Sequence, residues 1–252
     1  MIVDRRRLLG AIGIGGSGLL LAGCDRLNRS ASFQSLLDQG EKLTMRAQRI
    51  VTRRDALAPE FTGADLSPIF RANGTRMPSS PAYAAHAANR FADWRVRVDG
   101  LVQRPQSFSL AEIGQMPIRT QITRHDCVEG WSAIGKWHGV PLKLLLDQAG
   151  LRDGTRYIVF HCADDYGPVR YYESIDLIDA FHPQTILAWG LNDRLLPVQN
   201  GAPLRLRVER QLGYKHAKYV ERIEAVSTLA GINGGKGGYW EDGSNYEWYA
   251  GA

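Results

Sequence analysis

The chain has 252 residues, 44% hydrophobic and 23% charged, with a formal net charge of +5. That length holds one large domain or two small ones, and that mix excludes a disordered or fibrous chain. Setting aside Asp4 and the three arginines at 5–7 leaves +3, too little and too scattered for a nucleic-acid-binding surface.

Residues 1–23 have a cationic start, a glycine-rich apolar stretch and a small-residue end. Arg5 and Arg6, followed by Arg7, Leu8 and Leu9, resemble a twin-arginine export signal, an address for proteins exported folded. "LAGC" at 21–24 resembles a lipobox, which would make Cys24 a lipidated first residue touching the membrane. The alternative is a plain membrane anchor. The expected location is therefore periplasmic and lipid-anchored, and 1–23 is excluded from fold reasoning. No later stretch approaches the roughly 20 apolar residues that span a bilayer.

Residues 24–59 read as a tether and a packing helix, with Phe33, Leu36, Leu37, Leu43, Ala47, Ile50 and Val51 at helical spacing. "FRANGTRMPSSPAY" at 70–83 should be irregular. "DWRVRVDGLV" alternates as a half-buried strand ending in an Asp-Gly turn. "VPLKLLLDQAG" predicts a short helix, with Pro141 as its first residue and Gly150 closing it. "RYIVFHCADDYG" predicts an apolar strand running into an acidic loop, and "SIDLIDAF" a short helix capped by Ser174. "TILAWG" and "DRLLP" form a hairpin across "LND". "APLRLRVERQLG" alternates, with Leu204, Leu206 and Val208 inward and Arg205, Arg207 and Glu209 outward. "YVERIEAVS" is the last strand, and 229–252 is a Gly- and aromatic-rich extension packed on the domain. Many short strands with few helices predict an α+β domain rather than a doubly wound sheet.

The densest chemistry is "TRHDCVEGWSAIGKWHGVPL" at 123–142. Cys127 and Cys162 remain once Cys24 is set aside, and in an oxidising compartment such a pair suggests a disulfide. A chain this long has core enough to do without that staple. Cys127 is otherwise an inert buried thiol, a zinc ligand with His125, His161 and Cys162, or a nucleophile activated by His125. Zinc is disfavoured, because adjacent strand residues point to opposite faces.

A fourth reading comes from resemblance. "RHDCVEGWSAIGKWHGVPLKLLL" resembles the signature of the sulfite oxidase superfamily's molybdopterin domain, in the exported bacterial branch that includes periplasmic methionine sulfoxide reductase. "FRANGTRMP", "YIVFHCADDYG", "FHPQTILAWGLNDRLLPVQNGAPLRL" and "LGYKHAKYVERIE" follow in the family's order, covering residues 60–228. The resemblance implies a sulfite-oxidase-type fold, a Mo-molybdopterin cofactor and Cys127 as thiolate ligand to molybdenum. Soft sulfur suits a metal that changes oxidation state, and a metal-bound thiolate is protected from disulfide formation. Loading before export explains a folded-protein export signal.

By the same resemblance the cofactor is held by Asn73, Cys127, Cys162, Asn200, Arg205, His216, Ala217 and Lys218. Cys162 stands where the reductase branch has threonine, and 216–218 replace its glycine, isoleucine and lysine. Arg205 and Lys218 supply charge for the pterin's phosphate. Arg71, Arg124, His125 and Tyr166 are candidates to act on substrate beside Cys127. True sulfite oxidases carry extra arginines after the metal cysteine, where this chain has "VEGWS"; the reductase branch has arginine before it, where this chain has Asp126. The expected substrate is a small S- or N-oxide or a sulfite-like molecule. No Cys-x-x-Cys-His occurs and no dimerisation domain is expected, so electrons would pass to or from a separate haem or quinone-linked partner, such as a membrane haem protein. Rival readings are a Cys–His hydrolase or transferase, and a cofactor-free lipoprotein that binds a partner through its Tyr- and Trp-rich C-terminus.

Overall fold

A computed structural model describes residues 30–167 and 169–251; the expected export signal and the lipidation expected at Cys24 lie outside them. The chain divides into two compact units, residues 1–51 and 52–252. In the first, α1 (Ala31–Val51) forms where the apolar spacing predicts it, and the Phe33 N–H donates to the Ser30 hydroxyl at 3.2 Å. Its Leu36, Leu43 and Ile50 are exposed. Among the described residues no helix is long and apolar enough to cross a membrane.

The second unit holds two sheets. The first runs β2 (Gln106–Ser109), β1 (Arg95–Gly100), β10 (Val220–Val226), β5 (Tyr157–Tyr166) and β6 (Val169–Asp176) in spatial order, antiparallel except for β1 beside β10. The second runs β3 (Arg119–Cys127), β4 (Trp131–Pro141), β7 (Ile186–Leu191) and β8 (Arg194–Leu195), with β9 (Arg205–Arg207) also on β7. One apolar core joins them: Val96, Val98, Ile158, Phe160 and Ile223 from the first pack with Val140, Leu187, Leu204 and Leu206 from around the second. The helices α3 (Leu110–Gly114) and α4 (Leu142–Ala149) add Ile113 and Leu142, Leu145 and Leu146, all buried. Mixed sheets with a few short helices match the predicted α+β class.

Several local expectations are corrected. Residues 81–88 are not irregular but helical (α2, Pro81–Ala88), because the Ser80 hydroxyl accepts from the Tyr83 N–H at 3.2 Å and Pro81 suits the first turn. Pro141 ends β4 and caps α4 rather than beginning it. The acidic run 164–166 is no loop: it continues β5, paired Asp165 to Arg170 and Tyr166 to Val169. Ser174 lies inside β6, and Asp176 caps α5 (Leu177–Ala180) by accepting from the Asp179 N–H at 2.9 Å. The hairpin across 192–193 forms as predicted, with Asn192 and Asp193 both at positive φ, the geometry that matches strand twist.

The largest correction concerns β9. Only three residues pair, and Arg205 and Arg207, expected outward, are both fully buried. Alternation did hold, in that both guanidiniums share one side, over the Trp137 ring at 5.5 and 4.3 Å. The error was to assume that this side meets water.

Candidate functional site

The long β3–β4 hairpin brings Cys127 to its tip. Cys127 pairs with Trp131 across a three-residue loop, Val128–Gly130, closed by the Gly130 N–H donating to the Cys127 carbonyl at 3.0 Å. Gly130 sits at φ 83°, which a side-chain-bearing residue adopts only with strain. Alternation along β3 buries Thr123, His125 and Cys127 on one face and puts Arg124 and Asp126 on the other.

Cys127 opens into a cavity of about 170 Å³. Asn73, Lys218, His216, Tyr166 and Gly213 line it, so the structure brings together residues up to 145 positions apart. Lys218 is 6% exposed, and its ammonium donates to the carbonyls of Asn73 (2.7 Å), Gln199 (3.1 Å) and Thr75. Burial, then the Arg205 charge, lowers its pKa to about 7. Arg205 stands behind: it donates to Asn73 Oδ1 and the Asn200 carbonyl, both at 3.1 Å, and burial lowers its pKa to about 9. Ala217 is buried, and its carbonyl accepts from the Leu206 N–H at 2.8 Å.

Four buried polar atoms in or beside the cavity have no partner: His216 Nδ1 and Asp164 Oδ1 on its lining, and Arg205 Nε and Asn200 Nδ2 behind Asn73. Buried polar groups are nearly always bonded, so such a cluster marks where another group belongs. Nothing in the sequence singles out Asp164, which falls in the stretch expected to be an acidic loop. It is 2% exposed, and burial raises its pKa from 3.8 to about 6. A carboxyl whose folded pKa is raised costs stability above that pKa and nothing below its unfolded one. Asp164→Asn should therefore stabilise the cofactor-free protein by about 2–3 kcal/mol at pH 8, a gain that fades below about pH 4. Melting curves across that range check it; a gap independent of pH would refute the assignment.

His125 is fully buried, and burial followed by the charges of Arg205 and Arg207 holds its pKa well below the usual range. Its Nδ1 lies 3.0 Å from Arg207 Nη1, which can only donate, so the ring proton sits on Nε2. That Nε2 has no partner. Neither nitrogen bonds Cys127, whose thiol burial keeps protonated, so the arrangement of an activated Cys–His nucleophile is not formed. Gly213 is needed beside this ring, since a Cβ there would fall 2.6 Å from it.

Other predicted residues are not brought in. Arg124 is on the opposite face of β3, exposed and paired with Asp126 at 2.9 Å. Arg71 is exposed and does not line the cavity. Cys162 is fully buried on β5 and lines a separate, larger cavity of about 550 Å³. Both cysteines are free thiols, and His161 pairs with Glu224 at 2.8 Å on the first sheet. Neither the disulfide nor the four-ligand zinc site is present, and no three His, Cys, Asp or Glu side chains converge as metal ligands among the described residues.

Comparison with known proteins follows the same lines. The profile of the family "Oxidoreductase molybdopterin binding domain" matches residues 80–230. The chain is 42% identical over 161 residues to a putative protein-methionine-sulfoxide reductase subunit YedZ1 of Azospira oryzae, covering 64% of this chain and 57% of that protein. It is 38% identical over 144 residues to the protein-methionine-sulfoxide reductase catalytic subunit MsrP of Ralstonia nicotianae, covering 53% and 44%. The chain thus spans about half the length of the curated relatives it matches. The sulfane dehydrogenase SoxCD of Paracoccus pantotrophus shares the fold, with TM-score 0.51 and 22% identity over 54% of this chain and 39% of that one.

Proposed function

From the premise that this chain belongs to the oxidoreductase molybdopterin binding domain family, and so is a molybdopterin-dependent oxidoreductase, we propose that Cys127 carries the metal in an exported oxygen-atom-transfer enzyme. One observation carries the reading: unpartnered buried polar atoms on His216 and Asp164, which line the cavity with Cys127, and on Arg205 and Asn200 behind its Asn73. Arg205 Nε and Asn200 Nδ2 are donors beside a buried ammonium, which suits a phosphate-bearing group. Asp164 Oδ1 is a buried acceptor awaiting N–H groups, as an organic ring system would supply. With one soft donor from the protein, the metal's other ligands would come with its chelate. The residues present therefore fit molybdopterin.

When bound, that group supplies two-electron oxygen-atom exchange with a small substrate. The protein's own part is binding and exclusion. Lys218 and Arg205 neutralise the anion, Asn73 is held between them, and the Gly213–Lys218 loop closes one side. His125 and His216 stay neutral because burial, and after it the charges of Arg205 and Arg207, holds their pKa values well below the usual range. The N-terminal export features and Cys24 support a periplasmic, lipid-anchored enzyme. The relatives are named as subunits, which supports electron exchange with a separate protein, a haem or quinone-linked carrier by class.

The test is protein matured in a molybdenum-competent host, analysed for metal and poised across potentials for a pentavalent molybdenum resonance. Stoichiometric metal with that signal is expected; absence of both overturns the reading. Lys218→Gln, which keeps an N–H donor for the three carbonyls but removes the charge, should lose cofactor on purification while retaining the fold. Full retention would remove Lys218 from the anion site.

A further inference from the structure

The helix α1 carries its apolar side outward. At about 100° per residue, Leu36, Leu37, Leu43, Ala47, Ile50 and Val51 fall on one arc roughly 140° wide, the stripe that a packed helix turns to a core. Here the stripe meets solvent: Leu36, Leu43, Ile50 and Val51 are each between 61% and 83% exposed, Leu37 and Ala47 are exposed too, and Phe33 alone is half-buried. A contiguous exposed apolar surface of this kind marks a place where something else docks. Charge is unequally spread beside it. Asp38 and Glu41 lie in the first half of α1, whereas residues 42–54 hold Lys42, Arg46, Arg49, Arg53 and Arg54 and no carboxylate. Lys42, Arg46 and Arg49, spaced by four and then three residues, share the side of α1 next to Leu43 and Ile50.

We propose that α1 is an interfacial helix that docks on a bilayer containing anionic lipids, with Leu36, Leu43, Ile50 and Val51 among the acyl chains and the cations of 42–54 at the lipid phosphates. An apolar arc bordered by lysine and arginine suits the headgroup boundary, because their long stems lie along the apolar layer while the charged ends stay in water. The helix has 21 residues, yet among the described residues none is apolar enough to cross a membrane, so α1 lies in the surface plane. An anionic bilayer accounts for both the stripe and the cation run; a groove on another protein or a second copy of this chain accounts for the stripe alone. Residues 25–30 are all that separates Cys24 from α1, a reach of about 25 Å at most. The proposal thus extends the reading of a lipid-anchored enzyme: an acyl group on Cys24 fixes one point, and a docked helix fixes the segment that follows it.

The test uses the chain from residue 24 onward with Cys24→Ser, so that no acyl group contributes, produced in a molybdenum-competent host. It should co-sediment with vesicles of phosphatidylglycerol and phosphatidylcholine, and bind vesicles of phosphatidylcholine alone at least tenfold more weakly. Leu43→Glu and Ile50→Glu should each weaken binding to the anionic vesicles about tenfold. Both side chains are exposed, so circular dichroism and molybdenum content should not change in either variant. Arg46→Gln should weaken binding less and make it less sensitive to salt. No binding to anionic vesicles, or equal binding by the two glutamate variants, overturns the proposal. So does a dimer in sedimentation velocity that Leu43→Glu dissolves, since the stripe would then belong to a second copy. Mass spectrometry of the N-terminal peptide of the exported wild-type protein decides lipidation separately. A chain that docks but is never lipidated overturns the anchor and leaves the helix, so the two failures are distinguishable.

Discussion

Lys215→Met should destabilise the domain by about 3–5 kcal/mol, the usual loss when one partner of a buried ion pair is removed. Lys215 is fully buried, and its ammonium donates to Glu173 and, at 2.7 Å, to Glu241, both also fully buried. The three residues come from β6, the Gly213–Lys218 loop and α6 (Tyr239–Ser244), so the triad ties the C-terminal segment to the loop beneath the cavity. Burial and the Glu241 charge already push the Glu173 carboxyl well above its usual range, and Lys215 opposes that. With the ammonium gone, the Glu173 carboxyl is raised further above its unfolded value, and a raised carboxyl costs stability as pH rises. The loss should therefore be larger at pH 8 than at pH 5. Denaturant melts of the variant at both pH values test this. Replacing all three residues by apolar ones of similar volume should recover most of the stability, since a well-packed apolar cluster matches a buried ion group. An Lys215→Met protein with unchanged stability would mean that the triad is not formed.

Cys127→Ser should abolish both metal retention and oxidoreductase activity while shifting fold stability by less than about 1 kcal/mol. The side chain is 9% exposed at a hairpin tip and belongs to neither apolar cluster, so losing sulfur leaves no hole in the core. A serine hydroxyl stays protonated and is a hard donor, poorly suited to share charge with a metal that changes oxidation state. Elemental analysis, the pentavalent resonance and a thermal melt read the three outcomes separately. A serine variant that keeps stoichiometric metal with an unaltered resonance would show that the sulfur is not a ligand.

Much of the site was legible because its chemistry is carried by short stretches. The order of the quoted motifs, from "RANG" to "YKHAK", pointed to one cavity, and Asn73, Cys127, Tyr166, His216 and Lys218 do line it. Period-two alternation correctly placed Trp94, Val96 and Val98 in the core and paired Arg205 with Arg207 on one side of their strand. Alternation states which residues share a side but not what that side faces. Whether the guanidiniums of β9 meet water or Trp137 depends on β4, which lies some 70 positions earlier in the chain. Arg124 is a different case: it lies three residues before Cys127, and the alternation of β3 itself puts it on the opposite face.

The sequence by itself determined the fold class, through local periodicity, and the family, through an ordered set of motifs that resemble it, and it singled out Cys127 as the sulfur proposed to hold the metal. Only the tertiary structure decided which charges are buried. It put Asp164 into the cavity, sent Cys162 to a different one, and assembled the ion triad of Lys215, Glu173 and Glu241. It also brought Trp240 and Tyr246, more than 110 residues beyond Cys127, onto the wall of the same cavity. Burial is set by what the two sheets and the C-terminal segment bring together across long sequence separations, and the cost of removing a charge from water is fixed by those neighbours rather than by the charge's own position in the chain.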